Sequence, residues 1–426
     1  MSYGSLVRWG FAHEQTPSAA VHYVRNRFKK RQRARRVVEQ WRKEPTVEQL
    51  AASDNLIRVY NDLKARAGQA PGPDGFTYEH WGRREVASIF RELSEAVCAG
   101  RYRPQPSRRV PIPKPQGGFR TLRIANLYDR VLAAALHEAM ERVWEPIFLP
   151  ASMGFRPGRG VLRLLAELER VMIDQDRWVL AVDDVKKAFD NVVIADVLDD
   201  HARYITEPSL LSLIEVVLRG GDGEKRNKGI DQGNAYSPTA LNVRLHHAHD
   251  LGVNQGQHPP WYRYADNLVY ICQSVSEGQQ VLMRARHLLE QADFTLKGVE
   301  GPPVDLRQER TAPVLGFQLS SQNGALRFDL GKEAWTKLEQ GLLRVHETDN
   351  PAHIAPQVVR GWVASYGPAF ESLRMDIHRH VLDTTARLGL REICSLETLS
   401  GWCQDAWMNW NDLRSRVARS FQGSGR

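Results

Sequence analysis

RWVLAVDDVKKAFDNV, residues 177–192, decides how the rest of the chain is read. Trp178 to Val182 is an unbroken apolar run, the pattern of a strand covered on both faces, and it runs straight into Asp183 and Asp184. A carboxylate at the end of a buried strand is costly unless a cation or a metal ion shares it. Phe189 follows five residues after Asp184, and then Asp190. A second stretch, WYRYADNLVYICQS (261–274), sets two β-rich arms, Trp261 to Tyr264 and Leu268 to Cys272, around a tight Ala265-Asp266-Asn267 turn. It reads as a hairpin with an acid at its tip. Two acids on adjacent strands, facing the same way, form the minimum cradle for a pair of Mg²⁺ ions in phosphoryl transfer.

Working outward, KGIDQGNAYSPTALNVRLHHAHD (228–250) punctuates a loop with Gly229 and Gly233 and then opens a helix at Ser237-Pro238. The Gln232-Gly233 step offers a polar amide and bare backbone to a flat base or sugar. His246, His247 and His249 lack a further spaced Cys or His set and read as a polar helix end. Upstream, PIPKPQGGFRTLRIANLYDRV places Lys114 and Arg120 on either side of a Gly117-Gly118 turn, two hairpin cations suited to a triphosphate. SMGFRPGRG carries Arg156 and Arg159 around a Pro-Gly turn.

Both ends read as helical, the first through Leu56, Ile57, Val59, Tyr60 and Leu63, the last through Trp335, Leu338, Leu342 and Val345. The class is therefore α+β in the middle with helical material at both ends. Arg25, Arg27, Lys29, Lys30, Arg31, Arg33, Arg35 and Arg36 form a run without an acid, as large as the whole chain's net charge of +8. The remainder is formally neutral, and so concentrated a patch suits a polyanion. Cys98, Cys272, Cys394 and Cys403 form no CxxC pair, which argues against a zinc ribbon and a disulfide framework. With no long apolar run and no signal region, a soluble cytoplasmic protein without membrane contact is expected.

The order GPDG (72–75), KPQGGFRTLRI (114–124), GFRPGRG (154–160), VDDVKKAFDNV (182–192), QGNAYSP (232–238), YADN (264–267) and LGF (315–317) resembles the motif series of reverse transcriptases, specifically the group II intron and bacterial lineage. IAPQVVRGWVASYG (354–367) is similar to the thumb or maturase region of intron proteins. The resemblance implies a right hand: a basic helical extension (1–70), fingers (71–175), a palm with an antiparallel sheet (176–325) and a helical thumb or maturase-like region (326–426). It implies Asp184 and Asp266 as metal ligands and, with Asn267, as the catalytic set. Phe189 becomes the gate against a ribose 2′-hydroxyl, and Asp183 points off the opposite face. Lys114, Arg120, Gln232 and Gly233 fall to the dNTP, Leu315, Gly316 and Phe317 to the primer grip. Arg156, Arg159 and the basic run from Arg25 to Arg36 fall to nucleic acid.

The implied activity is RNA-templated DNA synthesis with Mg²⁺, or Mn²⁺ in its place, on a structured RNA template through an RNA–DNA hybrid. The short form resembles stand-alone bacterial enzymes of phage defence, with accessory proteins or a second copy as partners; an intron splicing factor with a weakened polymerase site is the alternative. Three departures stand out: Asn267 for the lineage's second Asp, Asp231 where Pro is common, and QGNAYSP for QGGPLSP. No clear Lys-Thr pair follows the hairpin, Lys297 being nearest.

Overall fold

A computed structural model describes residues 44–66, 68–113, 118–298, 301–308, 310–348, 350–371, 374–390 and 393–423. The basic run from Arg25 to Arg36, and Lys114, lie outside the described residues. The described chain is α+β, with helices packed on three antiparallel sheets.

The first layer is helical: α1 (Val47–Ala51), α2 (Ser53–Lys64) and α3 (Arg83–Cys98). Thr46 and Gln49 cap α1 reciprocally, each side chain accepting from the other's backbone N–H. Tyr60 of α2 packs its ring among Tyr78, Trp81 and Phe90. A two-stranded hairpin follows, β1 (Arg108–Pro113) and β2 (Phe119–Ile124), with Arg120 opposite Ile112. Pro111 and Pro113 cannot donate to a ladder on both sides, which suits a ribbon with two free edges. Helix α4 (Leu127–Trp144) is buried almost all round, its alanines 133, 134, 135 and 139 letting neighbours approach closely.

The central sheet has the strand order β4-β5-β3-β6: β3 (Val179–Asp184), β4 (Trp261–Tyr264), β5 (Asn267–Cys272) and β6 (Val304–Asp305). Its two faces enter two cores. Val179 and Ala181 of β3, with Leu268 and Tyr270 of β5, join the core that contains α4. Leu180, Val269 and Ile271 join the second, with α5 (Val161–Asp174). Burial on both faces is why these strands are apolar throughout instead of alternating. Around the sheet lie α6 (Ile194–Ala202), α7 (Pro208–Arg219), α8 (Ser237–Leu245) with its π-helical continuation His246–Asp250, and α9 (Val275–Glu290).

A third sheet, β7 (Ala312–Val314), β8 (Phe317–Gln322) and β9 (Ala325–Leu330), leads into α10 (Lys332–Val345), α11 (Pro351–Ser365), α12 (Met375–Arg387) and α13 (Leu396–Gly423). Its β8–β9 turn is Asn323-Gly324 with φ of 51° and 72°, the left-handed pair that a two-residue hairpin needs. Trp362 of the RGW segment is spent inside this bundle: its Nε1 donates to Ala334 O at 2.8 Å and its ring lies 5.2 Å from that of Trp335. Helix α13 returns to α5, where Arg414 pairs with the buried Glu169 at 2.7 Å. Among the described residues no helix is long and apolar enough to cross a membrane.

Buried histidines make the fold acid-sensitive. His201 of α6 presents Nδ1 to Val197 O at 2.5 Å and Nε2 to the Tyr236 hydroxyl at 2.8 Å. A carbonyl only accepts, so Nδ1 carries the proton and Nε2 accepts from Tyr236. Burial pushes His201 and His246 down to about 4. Their folded pKa lies below the unfolded one, so their stabilising effect is complete above pH 6.5 and is lost as pH falls toward 4. Between pH 7.5 and 5.5 each is expected to cost roughly 1 kcal/mol. Asp129, raised by burial to about 6, works in the opposite direction and recovers part of it. Urea unfolding at the two pH values should show a net loss on acidification; an unchanged or higher midpoint at pH 5.5 would contradict it.

Candidate active site

Strand β3 ends in Asp183 and Asp184, and its register sets Asp184 opposite Asn267. Tyr264 also pairs with Asn267, so the hairpin turn is the two residues Ala265-Asp266 and Asn267 belongs to the strand. Val185 N–H donates to Asp266 O at 2.9 Å, closing β3 onto the turn. Asp184, at the end of β3, and Asp266, in the β4–β5 turn, thus lie at the same end of the sheet. The Asn267 amide nitrogen is 3.4 Å from Asp266 Oδ1.

The two consecutive acids of β3 differ in employment. Asp183 accepts from Gly298 N–H at 3.0 Å and from Asp184 N–H at 2.8 Å, pinning the segment after α9 alongside β3. Asp184, 9 % exposed, has its Oδ2 paired with the Lys297 ammonium, and Lys297 N–H donates to Asp184 O at 2.8 Å. Among the described residues no three His, Cys, Asp or Glu side chains converge as metal ligands. The donor set at the sheet edge is instead two carboxylates and one amide. Such a set fits Mg²⁺, which takes one or two carboxylates and completes its shell with water and substrate phosphates. The ammonium already standing against Asp184 shows that this position accepts a cation.

Phe189 lies on the helical turn Ala188–Asn191, its ring edge-on to that of Phe155 (centroids 6.4 Å apart). Phe189 O accepts from Ile230 N–H at 2.9 Å, and Gln232 O accepts from Arg123 N–H of β2 at 2.7 Å. The Phe189 turn, the Gln232-Gly233 loop and the β1–β2 hairpin are therefore stitched together. Asp231 pairs with Arg226 and, at 3.3 Å, with Arg123, which accounts for an acid in place of Pro: its charge fastens the 220–229 loop to β2. Arg109, Lys228, Asp190 and Gln232 line a cavity of about 820 Å³ there.

Several expectations change. Arg156 is 6 % exposed; it binds the Glu145 carboxylate at 3.0 and 2.9 Å and the carbonyls of Leu149 and Ser152 at 2.7 and 2.6 Å. It braces its own loop, and its reading as a nucleic-acid contact is corrected. Arg159 is partly exposed, donating to Pro150 O at 2.9 Å. His246 and His249 are buried, so the polar helix end is corrected too. Leu315 and Gly316 form the β7–β8 turn beside the Tyr366 hydroxyl, while Phe317 packs in the core 5.1 Å from the Tyr366 ring.

Unforeseen from the sequence is the polar network beneath the hairpin. Arg263, fully buried, uses all five N–H donors: Nε and Nη2 on the Asp250 carboxylate (2.8 and 2.6 Å), Nη2 on Ser152 Oγ (2.8 Å), Nη1 on Asn242 Oδ1 (2.8 Å) and on Ala265 O (3.0 Å). Burial would raise the Asp250 carboxyl, but Arg263 and His249 hold it well below the usual range. His249 bridges Asp250 (2.8 Å) and the Tyr270 hydroxyl (2.6 Å). A charge in the otherwise apolar strand WYRY was the available signal, since a buried guanidinium must find partners.

Residues 112–298 match the family model for reverse transcriptase (RNA-dependent DNA polymerase). Over this span the chain resembles reverse transcriptases. The matched span runs from β1 to Gly298 and includes Arg120, Asp184, Phe189, Gln232, Asp266 and Lys297. The chain is 30 % identical over 192 residues to protein YkfC of Escherichia coli, covering 43 % of this chain and 50 % of that protein. It is 30 % identical over 179 residues to the group II intron-encoded protein LtrA of Lactococcus lactis (41 % and 28 %). Over 255 residues it is 25 % identical to the putative COX1/OXI3 intron 2 protein of Saccharomyces cerevisiae (54 % and 29 %). The chain spans half or less of the length of these relatives, two of which are named as intron proteins.

Proposed function

We propose that the protein is an RNA-templated DNA polymerase of right-hand form, with fingers over 71–175, a palm over 176–325 and a helical thumb over 326–426. The observation that supports this reading is the closing of the Asp266 turn onto the end of β3, where Asp184 stands opposite Asn267, inside the span that matches reverse transcriptases. Asp184, Asp266 and the Asn267 amide oxygen would hold divalent metal. Bound Mg²⁺ would supply activation of the primer 3′-hydroxyl and stabilisation of the leaving pyrophosphate. Arg120 and Lys114 grip the triphosphate; Gln232 and Gly233 present amide and backbone to the nucleotide; Phe189 closes the space a 2′-hydroxyl would need. Leu315 to Phe317 steady the primer end, and the run from Arg25 to Arg36, with Arg159, meets phosphate.

The setting we propose is copying of a dedicated structured RNA in the bacterial cytoplasm during antiphage defence. The altered YADN and QGNAYSP motifs favour a specialised template, and sequencing the nucleic acid that copurifies with the native protein tests it. An unspecific transcript population would contradict a dedicated RNA. Polymerisation itself is tested by primer extension on RNA templates with dNTPs and Mg²⁺ or Mn²⁺; absence of metal-dependent DNA product on every template, including the copurifying RNA, would contradict the reading.

Asn267 gives a sharper expectation. It lies opposite Asp184 and holds a neutral amide beside Asp266. Asn267→Asp adds a negative ligand, so the Mg²⁺ concentration for half-maximal extension should fall several-fold, with rate kept or raised. Complete loss of extension in a folded Asn267→Asp protein would show that the neutral amide is required.

A further inference from the structure

The turn that carries Asp266 is held by buried groups. Ala265 has φ of 56°, a left-handed conformation that an L-residue keeps only when its surroundings impose it. Gly154 presses on one side: a Cβ there would stand 2.2 Å from Ala265 N. Arg263 Nη1 holds the other, donating to Ala265 O at 3.0 Å. Asn242 joins the two: its Nδ2 donates to Gly154 O at 2.8 Å and its Oδ1 accepts from Arg263 Nη1 at 2.8 Å. Arg263 is anchored in turn on Asp250, at the end of the π-helical turn after α8, and on Ser152. Arg263, Asn242, Asp250 and Ser152 are all buried.

We propose that Arg263 and Asn242 are positioning residues of the polymerase site: by fixing the Ala265 peptide they hold the Asp266 carboxylate where it shares divalent metal with Asp184. This rests on the polymerase reading of those two acids. Neither residue touches substrate, so loosening the clamp weakens metal binding and the chemical step, and leaves nucleic-acid and dNTP affinity alone. Asn242 is the cleaner probe, because its removal leaves the Arg263–Asp250 pair intact.

The test compares full-length wild type with Asn242→Ala and Arg263→Lys. Lysine keeps a charge opposite Asp250 but lacks the fork that also reaches Asn242 and Ala265. Amide hydrogen exchange should accelerate about tenfold or more at residues 265–267 and stay unchanged in the β8–β9 hairpin. Half-saturation by Mn²⁺, followed by electron paramagnetic resonance with an RNA–DNA hybrid and dNTP present, should rise about tenfold. The value of kcat should fall by about the same factor, with dNTP KM and hybrid affinity within about twofold of wild type. Should Arg263→Lys fail to fold, Asn242→Ala alone decides. Wild-type exchange and Mn²⁺ affinity in folded Asn242→Ala would overturn the proposal, as would equal losses at β8–β9 and in hybrid affinity. Faster exchange at 265–267 in a chain whose wild type neither binds Mn²⁺ nor makes DNA would overturn the polymerase reading and leave a purely structural brace.

Discussion

Asp184→Asn and Asp266→Asn are each expected to cut RNA-templated dNTP incorporation by about a thousandfold or more, while hybrid affinity stays within a few-fold of wild type. Each substitution would replace a charged ligand by a neutral one at a site built on two carboxylates, with Asn267 already neutral. A thousandfold loss corresponds to about 4 kcal/mol of transition-state stabilisation, within the range that divalent metal supplies to phosphoryl transfer. The fold should tolerate the change. Asp184→Asn loses one ion pair, to a Lys297 side chain that is a third exposed, and such pairs contribute little to stability, on the order of 1 kcal/mol or less. Single-turnover extension with hybrid affinity measured in parallel checks it. Incorporation within about tenfold of wild type in either variant would remove that acid from the chemistry.

Phe189→Ala is expected to lower the preference for dNTPs over rNTPs by about a hundredfold, close to 3 kcal/mol. Discrimination of that size requires a rigid wall, and Phe189 is held as one. Its carbonyl is bonded to Ile230, its turn is fastened to the Gln232 loop, and its ring rests edge-on against Phe155. Removing the ring opens space without disturbing the backbone bonds. Phe155→Ala, which keeps Phe189 but takes away its support, should give a smaller loss in the same direction. The ratio of kcat/KM for dGTP and GTP on one template reads both; an unchanged ratio in Phe189→Ala would show that the 2′-hydroxyl is excluded elsewhere.

Strand β3 and the β4–β5 hairpin were legible because their pattern is local. An apolar run covered on both faces has one reading in a chain of this kind, and acids at its end draw attention. The family resemblance then ordered pieces that are individually weak. The helix before the PGPDG turn and the final helical region followed from periodicity alone: Leu56, Val59 and Tyr60, and later Leu338, Leu342 and Val345, are all buried. Asn323-Gly324 was equally readable as a hairpin turn, yet the third sheet was not foreseen as a separate unit.

What stayed hidden depends on partners far apart in sequence. Arg156 and Arg159 are one residue type in one motif, but only burial distinguishes the brace from the partly exposed cation. Asp231 looked like an anomaly until Arg123 and Arg226 stood beside it. The Arg263 network draws on Ser152 from one segment and on Asn242 and Asp250 from another, and nothing in the spacing of the residues announces it.

The most direct test of the two-carboxylate site is anomalous diffraction from Mn²⁺ in a complex of the full chain with an RNA–DNA hybrid and a non-hydrolysable dNTP. Ions bound by both Asp184 and Asp266, with the Lys297 ammonium displaced from Asp184, are the predicted result. Mn²⁺ bound elsewhere, or Asp184 still paired with Lys297 while the nucleotide is seated, would contradict it.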